Sequence, residues 1–247
     1  MYLKRAINLL QQVKYRYLLS KTIFRIEKGA SSKFGKNIHL SNSKILITKG
    51  STLVIGDNVR ISDTNIFVHG NFIIGNNSIL EKGYQQNKTK IYIEGTMSIK
   101  NNCRLRCNIR VRFKGNLNIG KYTNINEETE IRVDDSVYIG NYNQISYKCI
   151  IWDTNTHNIY EDDKRRKLSE KYYPNLGYEY EKPKTKPISI GDDCWIGQEV
   201  AILKGVKVNN SSIIGFRTTL SNCEIGPGKI VVSKNDNLII DRQENAK

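Results

Sequence analysis

Residues 188–220 read ISIGDDCWIGQEVAILKGVKVNNSSIIGFRTTL. Aliphatic side chains return in steps of six, at Ile190, Ile196, Ile202, Val208 and Ile214. That period is neither helical nor a simple alternation. It suits a unit of one short strand and one tight corner, with the aliphatic residue always pointing inward. Three such units make one triangular coil of about eighteen residues, the element of a solenoid.

Working outward, the same signature marks earlier coils: FGKNIHL at Phe34, IGDNVRI at Ile55, IGNNSIL at Ile74, IKNNCRL at Ile99, IGKYTNI at Ile119 and IGNYNQI at Ile139. The late arrival of Ile99 places an extra loop, KGYQQNKTK, near residues 82–90. The long gap between Ile139 and Ile190 holds one coil remnant and an inserted segment, residues 152–187, that is polar, charged and rich in tyrosine. Long loops on a repeat scaffold are where binding and chemistry are expected, because the coils fix their two ends. The chain thus divides into a lead-in over residues 1–33, a β-helix over 34–234 and a tail over 235–247.

Within the lead-in, residues 1–26 read as a basic amphipathic helix. Leu3, Ala6, Ile7, Leu10, Val13 and Tyr17 fall at helical spacing, with Lys4, Arg5, Gln11, Lys14 and Arg16 mostly between them. Such a helix either caps the open end of the solenoid or makes a peripheral contact with an anionic membrane face. No signal-peptide core and no transmembrane stretch is visible, and the expectation is a cytoplasmic protein.

The 247-residue chain carries a formal net charge of +15, which suits an anionic partner without choosing among them. Lysines and arginines are spread along its whole length with no nucleic-acid-binding signature, so nucleic acid is not expected. Five cysteines, Cys103, Cys107, Cys149, Cys194 and Cys223, have no metal-ligand spacing and read as free thiols. With three widely separated histidines, no metal is expected.

The repeats, the histidine-bearing DTNTH and the segment IGDDCWIGQEVAILKGVKVNNSSIIGF together resemble the hexapeptide-repeat acyltransferases, in particular the maltose and galactoside O-acetyltransferase group and its polysaccharide-modifying relatives. The likeness is densest from Ile119 to Leu220. It implies a mainly β fold, a left-handed parallel β-helix of hexapeptide repeats, assembled as a homotrimer with acetyl-CoA bound in clefts between subunits. It further implies that His157 is the general base toward an acceptor hydroxyl, a task to which a neutral imidazole is suited. Asn126 falls on the family's asparagine that contacts acceptor and acyl group, and Asp135 on its sugar-binding acid; Trp152 and Asp153 are placed with the substrate, Asp153 as a partner of the His157 ring.

For the cofactor, the resemblance points to Trp195 beside the acyl group and to Gln198 and Phe216 along the pantetheine arm. Positive charge for the phosphates is expected from Arg217, Lys229 or Lys234, and Ser221 and Asn222 stand where a Thr-Lys pair touches the nucleotide end. The family's closing Gly-Asn-Pro-Ala pattern is replaced by IGPGKIVVSKNDNLII. The acceptor expected is a carbohydrate of a bacterial surface polysaccharide, with a nucleotide-linked amino sugar as the alternative. A non-catalytic trimeric scaffold is the reading from another class.

Overall fold

The structure, a computed structural model, describes residues 19–84, 87–177 and 179–234. Its short strands form three parallel sheets of ten, nine and nine strands, and each next strand in the chain belongs to the next sheet. The result is a three-faced solenoid, with each face one sheet and each coil one circuit. The six-residue period is the path from face to face: Ile190 pairs with Val208 in the third sheet, Ile196 with Ile214 in the first, and Ile202 with Leu220 in the second. Stacked inward, such residues make the core. In the third sheet a single column runs Ile55, Ile74, Ile99, Ile119, Ile139, Ile190, Val208, all at most 1 % exposed.

The three edges of the prism differ. The corner from the third sheet to the first is four residues long in every coil from Ser31–Phe34 onward. Its third residue always has a left-handed backbone, as in Asn37, Asn58, Asn77, Asn102, Tyr122, Tyr142, Asp193 and Ser211. Asparagine tolerates that conformation and also repeats its side-chain bond along the axis: Asn37 to Asn58, Asn58 to Asn77 and Asn77 to Asn102 at 2.9–3.1 Å. The preceding residue runs a second ladder. The backbone N–H of Lys36 donates to Asp57, that of Asp57 to Asn76, and that of Asn76 to Asn101, at 2.6–2.9 Å. The first corner residue is glycine in all of these coils but two, which have Lys100 and Asn209, and at Gly75 the coils touch: a Cβ there would sit 2.5 Å from the Lys100 carbonyl carbon and 2.6 Å from Asn101 Oδ1. The IG-(D/N)-(D/N) motif is therefore a set of contacts between coils.

Cys103, Cys107, Cys149 and Cys194 are buried and unbridged: Cys103 and Cys194 end the third–first corner, where Ser78, Thr123 and Ser212 stand in other coils, and Cys107 and Cys149 end the first–second corner, where Thr129 and Thr218 stand. Burial pushes the Cys107 thiol up to about 12, which makes it an inert packing residue.

Three expectations are corrected. The solenoid starts before residue 34, because Leu19–Ser20, Ile23–Ile26 and Ser31–Phe34 already pair with the next coil. The expected helix over residues 1–26 is strand from Leu19, and its remainder lies outside the described residues, as does the tail 235–247. Trp152 ends the strand Ile150–Trp152, so the insertion starts at 153, and it contains a helix, Asp162–Tyr172 (α1), where only loop was expected. The sequence DDKRRKLSEKY has no apolar face to announce a helix, and none of its residues is buried. Among the described residues no helix is long and apolar enough to cross a membrane.

Gly75→Val introduces the forbidden contact while leaving both edges with insertions untouched. It is expected to destabilise the chain by roughly 1–3 kcal/mol, measured as a shift of the chemical-denaturation midpoint with unchanged slope.

Candidate active site

The insertion leaves at the second–third edge, where other corners span two to four residues. Its two ends are tied together by a bridge between Thr154 and Thr185 and by backbone bonds from Asn155 N–H to Lys184 O (3.0 Å) and Lys186 N–H to Asp153 O (2.9 Å). Beneath the tie lies a buried polar latch. Arg112 makes a two-pronged bond to Asp134 at 2.9 and 2.7 Å, and the Thr154 hydroxyl donates to Asp134 Oδ2 at 2.7 Å. Asp153, fully buried, accepts the backbone N–H groups of Asp134 and Asp135, one on each carboxylate oxygen, at 2.8 Å. Burial pushes the Asp153 carboxyl up to about 6, against the downward pull of those two bonds. The expectation that Asp153 binds substrate and orients the His157 ring is therefore corrected: both of its oxygens are spent inside the corner.

Glu179, returning from the far side of α1, takes that role instead. His157 Nδ1 lies 3.1 Å from Glu179 Oε1, and Asn158 Nδ2 donates to Glu179 Oε2 at the same distance. The His157 side chain is 57 % exposed and that of Glu179 only 11 %. A carboxylate only accepts, so Nδ1 donates the proton and Nε2 turns its lone pair outward. Behind Glu179 a cavity of about 120 Å³ opens between α1 and the return segment, lined among others by Tyr160, Arg165, Tyr172, Tyr180 and Glu181.

On the same edge, Asp135 sits 3.5 Å from Lys182 and accepts the Thr185 hydroxyl at 3.3 Å. Trp152 faces outward on the adjoining second sheet, with the Arg132 guanidinium 4.3 Å above its ring and its Nε1 buried without a hydrogen-bond partner. Ser221 and Asn222 are also here, in the corner after Thr219–Leu220, and Lys186 Nζ donates to Asn222 Oδ1.

The other expected residues stand on the first–second edge. Asn126 follows the strand Asn124–Ile125, and Gln198 and the pair Phe216–Arg217 occupy the same corner in later coils. Ser146, Gly197 and Gly215 continue the Asn126 column, as their backbone N–H bonds to the next coil show, so that one column below Asn126 carries only small residues. Trp195 and Phe216, 56 % and 55 % exposed, flank it. Arg217 packs on Phe216 and donates to Glu199 at 2.6 Å, which holds the Glu199 carboxyl below its ordinary range. One cation expected to meet phosphate thus already has an acidic partner.

One chain does not bring its expected residues together. His157, Asp135, Ser221 and Asn222 are separated from Asn126, Gln198, Phe216 and Arg217 by the width of the second sheet, about 13 Å for a four-residue strand. Sequence reasoning missed Glu179, an acid with no motif around it. Among the described residues no group of three or more His, Cys, Asp or Glu side chains converges as metal ligands would.

Asp153 gives the latch a pH signature. Its folded-state value of about 6 stands above the 3.8 of the free group, so the folded chain binds the extra proton. The stability it contributes is full below 3.8 and is lost as pH rises through about 6. Denaturation midpoints from pH 4 to 7 are expected to show this decline in the wild type and not in Asp153→Asn.

No family model matches the chain, and no curated protein matches it. Among solved structures, the polySia specific acetyltransferase NeuO is similar with a TM-score of 0.51 and 18 % identity, over 94 % of this chain and 92 % of that one. The UDP-N-acetylglucosamine acyltransferase of Arabidopsis is similar with a TM-score of 0.56 and 15 % identity, over 85 % of this chain and 64 % of that one. By fold, the chain is a parallel β-solenoid of hexapeptide repeats, the architecture it shares with these two acyltransferases.

Proposed function

We propose that the chain is an acetyl-CoA-dependent O-acetyltransferase acting on a sugar hydroxyl of a bacterial surface polysaccharide or its precursor. The observation that carries this reading is His157, exposed at the mouth of a pinned insertion, with Nδ1 held by a mostly buried glutamate and Nε2 facing out. That is the arrangement a general base needs. His157 takes the acceptor hydroxyl proton as the oxygen attacks the thioester carbonyl. The carbon–oxygen bond forms, the carbon–sulfur bond breaks, and the proton passes from His157 to the departing thiolate. Asp135, with its carboxylate at the same edge, accepts from neighbouring sugar hydroxyls. No cysteine serves as nucleophile: Cys149 and Cys194 are buried in the coils, and burial raises both thiols.

The division of the site between two edges supports a homotrimer in which the first–second edge of one copy faces the second–third edge of the next. Asn126, Trp195, Gln198 and Phe216 of one copy would then meet His157 and Asp135 of another. The bare column below Asn126 fits an extended pantetheine arm, since Ser146, Gly197 and Gly215 let a chain lie close to the backbone. N-acetylation of a nucleotide-linked amino sugar is the second reading, favoured by the likeness to the Arabidopsis enzyme, and it uses the same histidine.

Thiol release from acetyl-CoA is measured across a panel of acidic and neutral oligosaccharides and amino sugars. Wild type is expected to turn over with one acceptor class, and His157→Ala to lose roughly 10²–10⁴-fold while still binding acetyl-CoA. Absence of acetyl-CoA binding and turnover in wild type would leave a non-catalytic scaffold. For the shared site, His157→Ala and Asn126→Ala are unfolded together in equal amounts and refolded. About a quarter of wild-type activity is expected to return, one intact site for each pairing of two unmutated edges, whereas a site within one chain stays dead.

A further inference from the structure

The amide of Asn126 is held from one side. Arg106 stands one coil earlier in the same column, its backbone N–H bonded to Ile125 O at 2.9 Å, and its Nη2 donates to Asn126 Oδ1. Asn124 Nδ2 donates to the same oxygen at 3.1 Å. A guanidinium carries donors only, so the amide cannot be turned over: its oxygen must face Arg106, and its NH₂ is left as a donor on the open side.

Arg106 is itself held. Its Nη1 lies 3.2 Å from Glu127 Oε2, with the two side chains 13 % and 12 % exposed. Arg106 Nε and Glu127 Oε2 are buried without a hydrogen bond, so the pair is retained although its bonding is incomplete. Burying such a pair stabilises a fold weakly at best. Over Glu127 lies the start of an insertion, residues 81–84, at a corner that elsewhere among the described residues takes one to four. It reaches across the coil of Arg106 to the coil of Asn126, where a Cβ on Gly83 would lie 2.1 Å from Glu127 Cβ. Glu81, at the start of the loop, takes Arg104 through Nε at 2.7 Å. The core packing of neighbouring coils proceeds without any such loop.

We infer that Arg106 is a positioning residue for the acyl transfer proposed above, held by Glu127 beneath Gly83, and that it fixes Asn126 so that the NH₂ group meets the thioester carbonyl oxygen as negative charge gathers there. The inference rests on that reading of function. A donor already aimed at the developing oxyanion costs no reorganisation during the reaction, and loss of one such donor lowers kcat by about 10²–10³-fold in other enzymes.

The test is steady-state kinetics of the full chain with acetyl-CoA and the acceptor that supports turnover by wild type. Arg106→Met is expected to lower kcat by about 10–100-fold with the KM for acetyl-CoA little changed, and Arg106→Lys, which still only donates, to recover most of it. In an Asn126→Ala background Arg106→Met is expected to cost nothing further, because it acts only through that amide. Equal losses in both backgrounds, or full kcat in Arg106→Met, would overturn the positioning role. Should Arg106→Met fold poorly with Glu127 left alone, Arg106→Met/Glu127→Gln removes the stranded charge and is read against the same two outcomes. Absence of thiol release by wild type is a separate result, which removes the reaction itself.

Discussion

Contact between coils at the third–first edge sets the geometry of the molecule. Four residues turn the chain there every time, the first a glycine in all but two coils and the third in a left-handed backbone. Side-chain amides and carboxylates hand hydrogen bonds from one coil to the next, so the pitch is fixed along the axis. Where the asparagine ladder gives way to Tyr122 and Tyr142, the two rings take over in the same register, stacked at 5.0 Å and nearly parallel. A residue anywhere on the prism is thereby located by coil and face alone, as a coordinate on a grid.

That invariance makes the other two edges available for variation. Each accepts an insertion without altering the period: residues 81–88 on the first–second edge and 153–187 on the second–third. Both insertions end over buried charge, the first over Arg106–Glu127 and the second over Arg112–Asp134 with Asp153. A buried ion pair adds little net stability, and both pairs lie within the coils; the longer insertion is tied to its place by Asp153 and Thr154, which bond to the Asp134 corner. The groups assigned to the proposed reaction lie beside these insertions. His157 is placed by a glutamate delivered from the far end of the longer insertion, and Asn126 is held by an arginine covered by the shorter one.

The sequence period located every coil from Phe34 onward, because an inward aliphatic residue every six positions is a pattern that few other structures produce. It failed where the pattern weakens or vanishes. In the first coil the inward residues alternate with serine and lysine, and Ser31–Phe34 reads as lead-in until its pairing with Thr52–Ile55 is seen. The helix α1 is polar all round, so its apolar content carried no signal. Asp153 read as a ligand because acids near a catalytic histidine often are, whereas its role was decided by two backbone N–H groups that no spacing reveals. Arg106 was within reach: aligning RLRCN with NINEE one coil later sets Arg106 directly above Asn126.

The helix α1 contributes no buried residue to the molecule. Its cohesion comes from surface ion pairs such as Asp162–Arg165 and Asp163–Arg166, and from the stacking of Tyr172 on Tyr180 at 3.9 Å. Opening it exposes no core and breaks no ladder, so it can unfold and refold alone while the coils stay closed. Substitutions there are correspondingly invisible to the solenoid's stability. A lineage can therefore rewrite this exposed surface, residue by residue, without passing through a chain that fails to fold.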